Sequence, residues 1–343
     1  ASEKFDSPTL IDLAVGKGGD IKKWHNTKNI TFVLGIDQSQ DNIENKIDGA
    51  CKRYIDDKKN NPTTPAMIFL YGDSSKNIRD GSSFSNLQHQ ALSEGLFGAG
   101  AKSKSVLGKV VHDHYGIAKD GFDIVSCQFA LHYFFKDKLT LKNFIINLVE
   151  CTKMNGIVIG TCYDGAKVFQ MLSDKKSQSF VKNDNIILNI IKKYEYDSFN
   201  DDSSSLGYAI EVFQESINRS FVEYLVNFQF FKRVMENYGF VLETVEYKKD
   251  DTSNIIRDLP IDSFESLYNN YTSTNSNFSM SHEEKQISFL NNYFIFKKVR
   301  HVSVSETIFD DGDLYSASED PALQPTKPVK KILKIKKPTS SRK

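Results

Sequence analysis

Apolar residues gather in five short runs along the first half of the chain: TLIDLAV (9–15), ITFVLGID (30–37), AMIFLY (66–71), FDIVSCQFA (122–130) and GIVIGTCY (156–163). Several are continuous rather than alternating, the pattern of strands covered on both faces. Between them, 40–58 and 137–153 read as helices, the second with Leu139, Phe144, Ile145 and Leu148 at helical spacing. Strands alternating with helices predict an α/β fold built on a mainly parallel, doubly wound sheet.

Residues 72–120 are too long for an ordinary connection in such a fold. Their centre, GLFGAGAKSKSVLGK, is rich in glycine, serine and lysine, so the expectation is a partly flexible insertion, with a basic lid as the alternative. After residue 163 the pattern changes. FQFFKRVMENYGF (228–240) reads as a helix ending at Gly239, followed by a strand, VLETVEY, and NNYFIFKKV (291–299) is another strand. Late antiparallel strands are expected to finish the sheet. The expected division is therefore one domain over 1–300 and a low-complexity tail, acidic then basic, over 301–343 that is disordered when free.

Composition narrows this little. The 343 residues are 39% hydrophobic and 26% charged, ordinary for a soluble globular protein. Lys+Arg and Asp+Glu are equal at 44 each, so net charge says nothing of a nucleic-acid partner. Cys51, Cys127, Cys151 and Cys162 form no C-x-x-C pair and no zinc spacing, so reduced thiols and no metal are expected. No run approaches the roughly 20 apolar residues of a membrane span, so no membrane partner is expected. The chain starts at Ala1 without a methionine, almost directly on a strand, which reads as a piece of something longer.

The first chemistry lies at AVGKGGD (14–20). A strand running into Gly16, Gly18 and Gly19 and then a helix brings backbone close to a ligand with no Cβ atoms in the way. Asp37 follows the second strand, placed to accept both hydroxyls of a ribose. A dinucleotide site wants G-x-G-x-x-G with helix N–H groups facing a pyrophosphate. Here Asp20 would set a negative charge near that phosphate, and an acid better suits the sulfonium and ammonium of S-adenosylmethionine. Asp73, in YGDSS (71–75), is placed beyond the third strand to accept the amine of adenine; its structural alternative is a turn or helix-capping aspartate.

FDIVSCQFALHYFF (122–135) is the second chemical stretch. A strand ends near Gln128, and Phe129, His132, Tyr133, Phe134 and Phe135 follow at the carboxyl edge of the sheet, where ligands bind in open α/β folds. The plain alternative is core with one satisfied histidine. The functional alternative is flat rings that sandwich a purine.

DLAVGKGGDIKKW, GIDQS, GDSS, CQFALHYFF and FVEYLVNF (221–228) stand in the order found in the mRNA cap guanine-N7 methyltransferases, and over roughly 9–299 the chain resembles that family. The Asn- and Lys-rich composition and the long 72–120 segment are most similar to the capping enzymes of large cytoplasmic DNA viruses. The resemblance implies a Rossmann-like class I S-adenosylmethionine-dependent methyltransferase with S-adenosylmethionine as cofactor and the capped 5′ end of RNA as partner. It also implies upstream triphosphatase and guanylyltransferase domains in the same polypeptide, and a location in the cytoplasm, in a viral factory or virion.

Position by position, the resemblance implies cofactor binding by Gly16, Asp37, Asp73, Ser74, Gln128 and Tyr133, with Asp20 near the methionine moiety. It implies a guanine pocket made by His132, Tyr133 and Glu223, with Arg53 facing the cap phosphates and Tyr293 an aromatic on the last strand. No acid–base catalyst is implied; His132, Tyr133 and Glu223 would position. The chain departs from the family at Ala14, where glycine is usual, and at Val15, where cysteine is common. A family helix that touches the cap would lie before Ala1. Two other classes remain open here: an NAD-dependent dehydrogenase, disfavoured by the broken glycine pattern, and an inactive methyltransferase fold that binds RNA or a partner.

Overall fold

The computed structural model describes residues 5–27, 29–248, 255–273 and 278–303. The expected tail, from 304 onward, lies outside the described residues.

The chain runs β1 (Thr9–Asp12), α1 (Ile21–Asn26), β2 (Phe32–Asp37), α2 (Gln40–Glu44), α3 (Ala50–Asn60) and β3 (Ala66–Tyr71). It continues through α4 (Leu87–Leu96), α5 (Lys104–Asp113), β4 (Phe122–Gln128), α6 (Leu131–Phe134), α7 (Lys138–Cys151) and β5 (Thr152–Tyr163). Then come α8 (Gly165–Met171), β6 (Ser177–Lys182), β7 (Asn185–Lys192), β8 (Ala209–Gln214), β9 (Arg219–Tyr224), α9 (Phe228–Asn237) and β10 (Phe240–Leu242). The last described elements are β11 (Val245–Lys248), β12 (Ile255–Asp258), β13 (Ile261–Ser263), α10 (Phe264–Thr272), α11 (His282–Ser288) and β14 (Asn291–Lys298).

The main sheet has the order β10-β14-β5-β4-β1-β2-β3, with β13 on the far side of β14. Strands β1 to β5 pair in parallel and β14 runs antiparallel to β5. The sheet is mostly parallel and is finished by late antiparallel strands, as expected. Alternate residues of one strand feed two separate cores: Ile11 and Leu13 join the face covered by α4, α5, α7 and α9, whereas Leu10 joins Ile21, Trp24 and Ala50 from α1 and α3. Burial on both faces is why these strands read as continuous apolar runs.

Three expectations change. The predicted helix 40–58 is two helices, because Asn45 turns its side-chain carbonyl onto the backbone of Ile47 (2.9 Å) and Asp48 (3.3 Å) and so ends α2. The 72–120 segment, expected as a flexible insertion, carries α4 and α5, with Leu96, Phe97, Leu107, Val111 and Ala118 buried in the main core. Gly95 serves packing: a Cβ there would stand 2.9 Å from Leu107 Cδ2.

The predicted strand VLETVEY is split between β10, in the main sheet, and β11, which pairs β12. The region 177–224, which carried no strong periodic signal, forms a second, antiparallel sheet in the order β6-β7-β8-β9. Its inner face packs on α8 through Val168, Leu172, Leu188, Ile190 and Ile210.

Candidate active site

β1 leaves the sheet through the glycine turn. Gly16 and Gly18 have φ of +54° and +73°, which L side chains rarely adopt. A Cβ on Gly18 would lie 2.6 Å from Ile21 Cδ1, so α1 and the start of α3 close tightly there. A Cβ on Gly16 would stand in open space, leaving that backbone exposed to a ligand.

Asp37, at the end of β2, is held from three sides. Its Oδ2 accepts from Gly16 N at 2.8 Å, and its Oδ1 accepts from Ser39 N (2.9 Å) and Asn42 Nδ2 (3.0 Å). An acceptor oriented before binding loses little freedom on meeting a diol. Asp20 stands at the start of α1 without capping it, its carboxylate 2.6 Å from Lys23 Nζ.

Asp73 takes the turn role: its Oδ1 accepts from Ser75 N (2.9 Å) and Ser75 Oγ (2.6 Å). Ser74 is buried, and its Oγ donates to Leu13 O at 2.6 Å, tying the β3 loop to β1. Arg53 is exposed on α3, one turn beyond the residue that packs on Gly18.

Sequence reasoning passed over Asp12. It is 2% exposed, its Oδ1 accepts from Ala14 N (3.0 Å) and its Oδ2 from Ser126 Oγ (3.2 Å). Ser126 in turn accepts from Gln128 Nε2 (3.2 Å), and Gln128 Oε1 accepts from Thr161 Oγ1 (3.1 Å). A polar chain thus crosses β1, β4 and β5 at the carboxyl edge, with the side chain of Gln128 bonded at both ends within it. Burial raises Asp12 from 3.8 to about 7, with the charges of Asp20 and Asp37 adding to the rise. Three carboxylates around one turn favour a cationic ligand. The signal was present as a lone acid inside the apolar run TLIDLAV.

The other half of the site meets across α6, β5 and β9. His132 is 5% exposed and Glu223 9%, with Nε2 and Oε2 3.7 Å apart. Among the described residues, neither ring nitrogen of His132 nor Glu223 Oε2 has a hydrogen-bond partner. This is not an ion pair: burial lowers His132 to about 3 and raises Glu223 to about 7. Orphaned buried polar atoms cost stability unless a ligand completes them.

The Tyr133 ring packs edge-on to His132, with centroids 4.2 Å apart. Burial first, then the charges of Glu223 and Asp37, push its hydroxyl up to about 12. The Tyr133 hydroxyl therefore feels charge from both halves. Tyr163, which sequence reasoning also missed, is raised by burial and by Glu223. Its β14 partner is Asn291, whereas Tyr293 is buried in register with Thr161, two residues deeper along the strand. Of the aromatic cluster, Phe134 and Phe135 are core, and Phe129 is exposed.

A family model described as the mRNA (guanine-N(7))-methyltransferase domain matches residues 1–299. The chain is 28% identical over 338 residues to a probable mRNA-capping enzyme of Acanthamoeba polyphaga mimivirus, covering 88% of this chain and 26% of that protein. It is 29% identical over 177 residues to an mRNA cap guanine-N(7) methyltransferase of Caenorhabditis elegans, covering 51% of this chain and 36% of the relative. An mRNA-capping enzyme of African swine fever virus is 23% identical, with 70% of this chain and 25% of the relative covered. The chain thus spans about a quarter to a third of the length of these relatives.

Proposed function

The chain belongs to the mRNA (guanine-N(7))-methyltransferase domain family, and on that premise we propose that it methylates nitrogen 7 of the guanine that caps the 5′ end of RNA, with S-adenosylmethionine as cofactor. The observation that carries this reading is the buried, incomplete pair His132 and Glu223 beside Tyr133, which feels both Glu223 and Asp37. A carboxylate accepts from both donors on the Watson–Crick edge of guanine, an arrangement adenine does not match.

The cofactor fits the residues present: Asp37 is oriented for a ribose, and Asp12, Asp20 and Asp37 suit a cation. When bound it supplies the methyl group as an electrophile. Asp37 would hold its ribose, and Asp20 and the backbone at Gly16 and Gln128 its methionine end. Asp73 and Ser74 would shape the adenine side.

Nitrogen 7 of guanine carries a free lone pair and no proton, so no general base is needed. Positioning does the work, and effects of this kind are credited with about 7–11 kcal/mol of such barriers. Burial keeps His132 neutral at physiological pH, so its ring donates or accepts without adding positive charge beside a ring that is about to become cationic. The Glu223 carboxylate favours that developing charge, an interaction stronger in the transition state than in the ground state. Arg53 would face the cap phosphates.

The mRNA-capping relatives support a further proposal: triphosphatase and guanylyltransferase activities share the polypeptide, which works in the cytoplasm of an infected cell. Among the described residues no helix is long and apolar enough to cross a membrane. The decisive experiment supplies methyl-labelled cofactor and RNA ending in GpppA. Label recovered as 7-methylguanosine in the cap supports the reading, and labelled RNA with an unmodified cap overturns it.

A further inference from the structure

Asn147 is a polar residue on an apolar helix. α7 buries Phe144, Ile145, Leu148 and Cys151 in the main core, and Asn147 beside them is 0% exposed. Asparagine disfavours a helix interior, and a buried amide costs stability unless its donors and its acceptor are used. Here all of them are used on one segment. Oδ1 accepts from Ile78 N (2.9 Å), and Nδ2 donates to Ser74 O (2.8 Å) and Lys76 O (2.7 Å).

Residues 74–78 form no helix or strand, so no regular ladder satisfies those backbone groups. One turn further along α7, Glu150 Oε2 accepts from Asn77 Nδ2 (2.8 Å). α7 thus holds the segment at four points, three of them through Asn147.

The other end of the segment reaches the cofactor half of the site. Ser74 Oγ donates to Leu13 O (2.6 Å), just before the turn that leaves β1. Asp73 uses Oδ1 on Ser75 N and Ser75 Oγ, which leaves Oδ2, 3.8 Å from Lys76 Nζ, as the oxygen for a ligand amine. Asn147 has no exposed surface and so touches no ligand. What it sets is where the backbone of 74–78 lies.

We propose that Asn147 is a positioning residue for the adenine side of the cofactor site, fixing the 74–78 backbone so that Asp73 meets the exocyclic amine of the base. The inference rests on the cofactor reading above, in which Asp73 and Ser74 shape the adenine side. Without the Asn147 bonds, Asp73 keeps its charge and loses its fixed position, so recognition of the amine weakens. The ribose acceptor is spared, because Asp37 is oriented by Gly16, Ser39 and Asn42 and not by α7.

The test measures preference for adenine, which a purely structural role would not move. Calorimetry compares S-adenosylhomocysteine with S-inosylhomocysteine, in which a carbonyl replaces the amine. The wild type should prefer the adenosyl ligand at least about tenfold, as a hydrogen bond to a charged acceptor allows. Asn147→Asp is the principal variant: it keeps the size of the side chain and the acceptor for Ile78 N, and the two amide donors are lost. Asn147→Ala removes all three bonds, and circular dichroism sets a temperature at which each variant is folded. In both, affinity for S-adenosylhomocysteine should fall about tenfold and affinity for S-inosylhomocysteine should stay within about threefold. A preference that survives in the variants, with both ligands weakened alike or neither weakened, would make Asn147 a core residue only and overturn the proposal. Equal wild-type affinity for the two ligands would overturn the adenine role of Asp73 and the proposal with it, a failure visible before any variant is made.

Discussion

The amide of Gly16 donates to Asp37 Oδ2 at 2.8 Å, so the end of β2 is locked to the turn that leaves β1. With Ser39 N and Asn42 Nδ2 on its other oxygen, the Asp37 carboxylate is aimed before any ligand arrives. Asp37→Ala removes the ribose acceptor and frees the turn together. Hydrogen bonds to a charged group are worth about 1.5–3 kcal/mol each, so S-adenosylhomocysteine should bind at least about a hundredfold more weakly by calorimetry. Undiminished affinity would mean that the ribose lies elsewhere.

Asp12 should make both stability and cofactor choice depend on pH. Its folded pKa of about 7 lies above the unfolded 3.8. A carboxyl raised in this way contributes stability that is fully present below the unfolded value and lost as pH climbs through the folded one. From about pH 6 to pH 8 the wild type should lose about 1 kcal/mol relative to Asp12→Asn. Over the same range S-adenosylmethionine, a cation, should gain affinity relative to neutral S-adenosylhomocysteine, and Asp12→Asn should abolish that gain. Parallel melting curves at both pH values would show that Asp12 is already ionised in the unliganded site.

Glu223 should set the pH dependence of cap use. Burial holds it at about 7, and only the carboxylate accepts from both guanine donors. The kcat/KM for capped RNA should therefore rise through pH 7. Glu223→Gln should flatten that rise and lower the rate about a hundredfold, with S-adenosylhomocysteine affinity kept within a few-fold. His132→Ala should likewise spare the cofactor. Equal loss of cofactor and cap in either variant would remove that residue from the guanine pocket.

Leu107→Ala distinguishes a structural α5 from a lid. Leu107 is 4% exposed within the main core, and truncating a buried leucine costs about 2–5 kcal/mol. Urea denaturation should show that loss as a lower midpoint. A change under about 0.5 kcal/mol, the usual range for exposed positions, would restore the flexible reading of 72–120.

Lys298 is buried at the foot of the sheet, where its Nζ donates to Val149 O (2.5 Å) and Thr152 O (2.8 Å) at the end of α7. Lys298→Met removes both hydrogen bonds from a buried site and should cost about 1–3 kcal/mol. Steady-state kinetics on capped RNA should not change, since the edge it serves is opposite the site.

The parallel strands, the glycine turn and Asp37 were legible in the sequence because each is written in neighbouring residues. A strand buried on both faces needs an unbroken apolar run, and a turn that meets a ligand needs residues without a Cβ. His132 was legible as a candidate in the aromatic segment after β4, and Glu223 through the family resemblance alone. That they lie 3.7 Å apart with unpartnered atoms depends on β9 packing against α6, and β9 belongs to a sheet that the periodicity did not announce. The same holds for the segment 72–120, whose glycines look like a linker until Gly95 is seen against Leu107. It holds for Asp12 too, an acid whose pKa of about 7 comes from the burial around it and from Asp20 and Asp37. Local sequence determined which elements form, since backbone conformation and hydrophobic period are short-range properties. Tertiary structure decided which polar groups lose water together, because desolvation is set by atoms that are neighbours in space and strangers along the chain.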